Sequence, residues 1–176
     1  MGVWLGIGRI VASRLLGKRH SLLGDAVMRR RVGPLDLDPN MHMTNSRYYF
    51  LFDIGRVEHL VCTGLLPAMT KHQSGPAIGG TALRWRKSLK LFQSYDIVTR
   101  LACWDDKWLY YDQQAVSNGE VYALAFSRLA VVGKQGTLPP QDIIAAAGFE
   151  DTSPPLHDSV GPLEAATHSL KAPVAA

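Results

Sequence analysis

Between Asp36 and Arg56 the chain reads DLDPNMHMTNSRYYFLFDIGR, the densest cluster of reactive side chains in the sequence. Pro39 and Asn40 mark a turn. Beyond it Tyr48, Phe50, Leu51, Phe52, Ile54, Val57, Leu60 and Val61 recur in a pattern that suits a helix rich in apolar residues. Asp38 and His42 therefore sit in the loop that enters a buried helix. The first turn of a helix carries unpaired N–H groups and a partial positive charge, which together stabilise a developing anion. An oxyanion hole could be built there without any special side chain. Thr44 or Asn45 could cap the helix, and either leaves the Asp38 carboxylate within a few residues of those donors. A carboxylate beside such donors suits acyl transfer, although an aspartate in this position serves equally well to close a turn.

The spacing of Asp38, His42, Asn45 and Tyr48 resembles the D-x-x-G-H-V-N-N-x-x-Y signature of hotdog-fold acyl-CoA thioesterases of the 4-hydroxybenzoyl-CoA thioesterase type. The run from Gly79 to Gly133, GGTALRWRKSLKLFQSYDIVTRLACWDDKWLYYDQQAVSNGEVYALAFSRLAVVG, is similar to the branch of that superfamily that includes thioesterase superfamily member 6. Met41 stands where the signature has Gly, and Thr44 where it has the first Asn. The resemblance implies an α+β hotdog fold, an antiparallel sheet of about five strands wrapped around one long central helix. It implies hydrolysis of an acyl-CoA thioester to a carboxylate and free CoA, with Asp38 as base or nucleophile. Backbone N–H groups near Asn45 would polarise the carbonyl. No cofactor is implied, coenzyme A being part of the substrate. Relatives pair subunits about a two-fold axis, so a homodimer or a dimer of dimers is expected.

The remaining candidates are weighed on chemistry. His42 could hydrogen-bond the substrate or orient the loop, and Tyr48 suits a pocket wall. Arg84, Arg86 and Lys90 could meet the phosphates of coenzyme A, though a solvated strand face explains them equally well. Asp36, two residues before Asp38, points to the same side of a strand and is a lesser candidate. Metal is not expected, since His42, His59 and His72 lack ligand-like spacing. Ser46 lacks a G-x-S-x-G context, which disfavours a serine hydrolase. A MaoC-type enoyl-CoA hydratase is a weaker alternative, because Asp38-Pro-Asn-Met-His42 is one residue short of its D-x-N-P-x-H motif. The Met41 and Thr44 departures keep a third reading, a non-catalytic acyl- or acyl-CoA-binding module.

The elements that position these residues follow from composition and period. A chain of 176 residues with 47% hydrophobic content is long enough for one cored domain. The formal net charge of +4 comes without a long basic run interleaved with aromatics, so nucleic acid is not expected as a partner. Cys62 and Cys103 offer neither a disulfide framework nor metal spacing, which fits a reducing, cytoplasmic setting.

Residues 1–20 read as an amphipathic segment. Arg9 and Arg14 interrupt its apolar stretch and argue against a signal peptide, while residues 4–19 could make weak peripheral membrane contact. The hotdog domain is expected over 21–149. Gly24–Asp38 reads as a strand bent at Gly33 and Pro34, and Gly64–Gly80 as a mobile, loop-rich connection. Leu83, Trp85, Leu89 and Leu91 alternate with polar residues, with Lys87 on the apolar side as the exception. Strands at 97–104, 108–117 and 121–132 follow, the last two joined by Asn118-Gly119. A short helix is expected over Gln141–Ala147, and residues 150–176 as a disordered tail.

Overall fold

The computed structural model describes residues 20–170. Strand β1 (Ala26–Arg31) leads through a 3-10 turn at Pro34–Asp36 to helix α1 (Asn45–Thr63) and the short α2 (Leu65–Lys71). Four long strands follow: β2 (Ser74–Trp85), β3 (Ser94–Trp104), β4 (Trp108–Ser117) and β5 (Glu120–Gly133). The chain continues with β6 (Gly136–Leu138), α3 (Pro140–Ala146) and α4 (Val160–Ser169). The sheet is antiparallel in the order β1-β3-β4-β5-β2, and β6 extends it along β5 beyond the start of β4. Asn118 and Gly119 adopt φ values of 50° and 75° between β4 and β5, the left-handed pair that lets a two-residue hairpin match the strand twist.

Helix α1 lies against the inner face of the sheet. Its Tyr48, Leu51, Phe52 and Ile54 pack with Met28, Tyr95, Ile97, Ala115, Ala123 and Ala125. The approach is close at Gly55, where an added Cβ would stand 2.5 Å from the Thr99 hydroxyl of β3. Leu60 near the far end of α1 joins a second cluster with Leu65, Met69, Leu101, Leu109, Leu129 and Ile144. Charged residues are buried along the same helix. Arg56 is 4% exposed and donates to Gln113 Oε1 at 2.5 Å and to Ser127 Oγ at 3.1 Å, while also pairing with Asp53.

Three expectations change. Pro34 cannot donate to a ladder and favours a turn, so β1 stops at Arg31 and Asp36 lies in the 3-10 turn rather than on a strand face shared with Asp38. The segment 64–80 holds α2 and the first half of β2 in place of a loop. Pro76 is tolerated because β2 is an edge strand, and Gly79 sits at a register shift where Trp108 leaves no room for a Cβ. The period-two run also ends early. β2 stops at Trp85, which is 41% exposed, whereas Leu89 in the following turn is fully buried.

A fourth correction concerns the segment after Glu150. In place of a disordered tail, its described part packs on the outer face of the sheet. Ser153 Oγ donates to the Trp104 carbonyl at 2.6 Å, His157 stacks on Phe126, and Val160 and Leu163 are buried with Cys103, Tyr110 and Phe126. The composition carries few large apolar residues, but those few fall where α4 meets an apolar strip of strands. The expected amphipathic segment lies outside the described residues apart from His20.

Candidate active site

The loop 36–44 is fixed by ties at both ends. Asp36 accepts the Gly33 N–H at 2.9 Å and forms an ion pair at 2.6 Å with Arg47 of α1, close but off-line for a hydrogen bond. The Thr44 N–H donates to the Asp36 carbonyl, and the Asp38 N–H to the His42 carbonyl. Asp38 Oδ1 accepts the N–H groups of Asn40 at 2.9 Å and His42 at 3.1 Å. One carboxylate oxygen thus closes the turn, and Oδ2 makes no hydrogen bond to the protein among the described residues. Met41 takes φ 60°, so the left-handed backbone that a Gly would supply without strain is present here with a methionine.

The second wall is the turn after β2. His42 bridges Lys90, and the Met43 N–H donates to the Leu89 carbonyl at 2.9 Å. The Leu89 N–H donates to the Tyr48 hydroxyl at 3.4 Å. Burial raises the Tyr48 phenol above its ordinary range, so this side chain keeps its proton and holds the turn against α1. His42 takes part through its backbone, and its half-buried imidazole makes no hydrogen bond among the described residues.

Helix α1 begins beside this wall. Thr44 is its N-cap residue but makes no side-chain cap, its hydroxyl lying 3.2 Å from that of Ser46. The opening N–H groups of a 19-residue helix are therefore left uncapped by side chains. A groove of about 200 Å³ adjoins them, lined by Met43, Asn45, Tyr48, Trp85, Arg86, Lys87 and Ser88.

Of the residues singled out from the sequence, Asn45, Tyr48 and Arg86 share this groove. Asp38, His42 and Lys90 stand on the adjoining loop pair. Arg84 does not join them. It lines a separate groove of about 350 Å³ with Asp112, Gln114, Leu124, Phe126 and His157. Sequence reasoning missed Trp85, Lys87 and Ser88 as lining residues, because they enter only where the chain leaves β2, and Met43, which is brought there by its bond to Leu89 across the two loops. It also missed the Asp36–Arg47 tie, whose only trace in the sequence was an acidic and a basic residue on either side of the loop. Among the described residues, no group of three or more His, Cys, Asp or Glu is placed to hold a metal ion.

Residues 32–157 match the family model of the thioesterase-like superfamily. The chain belongs to the thioesterase-like superfamily. Among curated proteins it is 39% identical over 118 residues to Protein THEM6 of Xenopus laevis, covering 66% of this chain and 54% of that protein. The chain thus spans about half the length of that relative. Among solved structures it is similar to the DHNA-CoA thioesterase of Staphylococcus aureus, with a TM-score of 0.61 and 12% identity over 69% of this chain and 87% of that one. It is also similar to SAV2348 of Staphylococcus aureus, solved in complex with CoA, with a TM-score of 0.65 and 13% identity over 79% of this chain and 92% of that one. These two likenesses concern the fold, a curled antiparallel sheet with helices that is the hotdog arrangement of thioesterases.

Proposed function

We propose that the chain hydrolyses an acyl-CoA thioester to a carboxylate and free CoA. The observation that carries this reading is the juxtaposition at the start of α1: uncapped helix N–H groups, a groove lined by Asn45, Tyr48 and Arg86, and a tethered loop carrying Asp38. In this reading Asp38 Oδ1 stays bound to the Asn40 and His42 amides and sets the carboxylate plane. Oδ2 takes a proton from water as the oxygen adds to the thioester carbonyl. The oxyanion forms against the first N–H groups of α1, where the helix dipole and open donors favour it. Collapse breaks the C–S bond, the leaving CoA sulfur takes the proton back from Asp38, and the product acid gives its own proton to solvent. Attack by Asp38 itself, followed by hydrolysis of the anhydride, uses the same groups.

Arg86 and Lys90, exposed beside the groove, suit the CoA phosphates. His42 acts as a positioning residue through its backbone, and no cofactor is called for. The outer edge of β2, twelve residues long and unpaired among the described residues, suits pairing with a second copy, which supports a homodimer. No helix among the described residues is long and apolar enough to cross a membrane.

The test is a panel of acyl-CoAs of varied chain and head group, with an enoyl-CoA hydration control, assayed with the full chain and with Asp38→Asn. Turnover should fall at least about a hundredfold in a folded Asp38→Asn protein. Unchanged turnover in that protein removes Asp38 from the reaction.

A further inference from the structure

The loop end that carries Asp38 has a second property that thioester hydrolysis does not use. Leu35 is 90% exposed, Met41 58% and Phe92 54%. Leu35 and Met41 belong to the loop before α1, and Phe92 to the turn before β3. The two loops are joined by the Phe92 N–H to the Val32 carbonyl at 2.9 Å, the Val32 N–H to the Gln93 carbonyl at 3.0 Å, and the His42–Lys90 bridge. Phe92 has φ 62° and Met41 φ 60°. Each thus places a large apolar side chain in solvent on a backbone that glycine would adopt without strain. The fold gains little core packing from either one.

The charge around these prongs is predominantly positive. Residues 29–47 hold four cations against two carboxylates, and residues 84–93 four cations against none. Asp36 is tied to Arg47, Asp96 to Arg29 and Glu120 to Lys87. Arg31, Arg86 and Lys90 have no carboxylate in ion-pair range among the described residues, against the single carboxylate of Asp38, which has no cation in that range. The Arg31 guanidinium lies 5.5 Å from the Phe92 ring centre, and its Nε donates to the Phe92 carbonyl at 2.7 Å. Apolar prongs rising from a basic rim match a bilayer that is apolar within and anionic at its surface. A second copy of this chain, docked by the same patch about a two-fold axis, would set these cations against their own counterparts.

We infer that the loop end bearing Leu35, Met41 and Phe92 docks on an anionic lipid bilayer. Prongs on both loops enter the interfacial region while Arg31, held at Phe92, meets lipid phosphates. The docking surface adjoins the Asp38 loop, so an amphiphilic acyl substrate held in the bilayer would reach the groove without crossing bulk water. His20 is bonded at Cys62, near the opposite end of α1 from this surface. The inference does not depend on catalysis, because its readout contains no chemical step.

The experiment is vesicle sedimentation of the full chain and of the double variant Leu35→Ser/Phe92→Gly, paired with light scattering of both. Vesicles are phosphatidylcholine alone or mixed with phosphatidylserine, at low and high ionic strength. Neither change removes a buried side chain, and glycine suits the backbone at 92, so the variant stays folded with an unfolding midpoint at or above the parent's. The full chain should bind the phosphatidylserine vesicles and release at high salt, and the variant should bind at least about tenfold more weakly. Equal binding by the two proteins, or no binding by the full chain, overturns the inference. A change of assembled mass in the variant overturns it too, by assigning the patch to a subunit contact.

Discussion

Acid should weaken this fold through one histidine. His59 is fully buried on α1, with Nε2 3.1 Å from the Leu22 carbonyl oxygen and Nδ1 3.3 Å from the Tyr111 hydroxyl. The neutral ring is satisfied on both sides, Nε2–H donating to Leu22 and Nδ1 accepting from Tyr111. Burial pushes its pKa down to about 4, against a weaker raising influence from the Leu22 carbonyl. In the unfolded chain the same imidazole titrates near 6.5. Between about 4 and 6.5 the unfolded state therefore binds more protons, and stability drops as pH falls through that window. The loss is about 2 kcal/mol at pH 5 and on the order of 3 kcal/mol at pH 4, a large part of a typical domain's margin. Urea unfolding at pH 7 and pH 5, for the parent and for His59→Gln, isolates this contribution because all other titrating groups are common to both. The parent should lose about 2 kcal/mol more than the variant on acidification. Equal losses, or a buried imidazole resonance titrating near 6.5 in the folded protein, would refute the reasoning.

Three further substitutions probe other contacts. Gly55→Ala should cost about 1–3 kcal/mol, because its Cβ would meet the Thr99 hydroxyl at 2.5 Å and Gln113 Nε2 at 3.2 Å; a denaturant midpoint equal to the parent's would show that α1 can step back from the sheet. Met41→Gly should raise stability by about 0.5–1 kcal/mol by relieving the left-handed backbone, and thermal melting would show the opposite shift if the methionine side chain contributes packing. Leu163→Ala should cost about 2–4 kcal/mol as a core truncation, whereas a change near zero in the same melt would return residues 150–169 to the status of a loose tail.

Much of the chain was legible before its structure, and the reasons differ by element. The apolar run from Tyr48 to Val61 marks a helix because its burial repeats with the helical period, and Asn118-Gly119 marks a hairpin because its left-handed backbone is a local demand. The order Asp38, His42, Asn45, Tyr48 placed the candidate site at the start of that helix. Less legible were the elements whose signals compete. Pro76, Gly79 and Gly80 read as a loop, yet an unpaired edge tolerates the proline and Trp108 needs the glycine. Val160 and Leu163 looked too sparse for a packed helix, because the apolar strip they cover is made by Cys103, Tyr110 and Phe126, on three different strands.

By itself the sequence determined those parts that depend on neighbours along the chain: helix, hairpin, turn, and the loop that sets Asp38 ahead of the helix N–H groups. Only the tertiary structure decided which side chains share a cavity. Arg84 and Arg86 are two residues apart, yet Arg86 meets Asn45 and Tyr48 whereas Arg84 faces His157 in another groove. Strand β2 ends between them at Trp85, so the strict alternation that would have put both on one face no longer holds. Arg56 and His59 carry no mark that distinguishes them from solvated helix residues. Their burial depends on Gln113, Ser127, Tyr111 and Leu22, partners from 37 to 71 positions away that reach them only once the sheet has closed over α1.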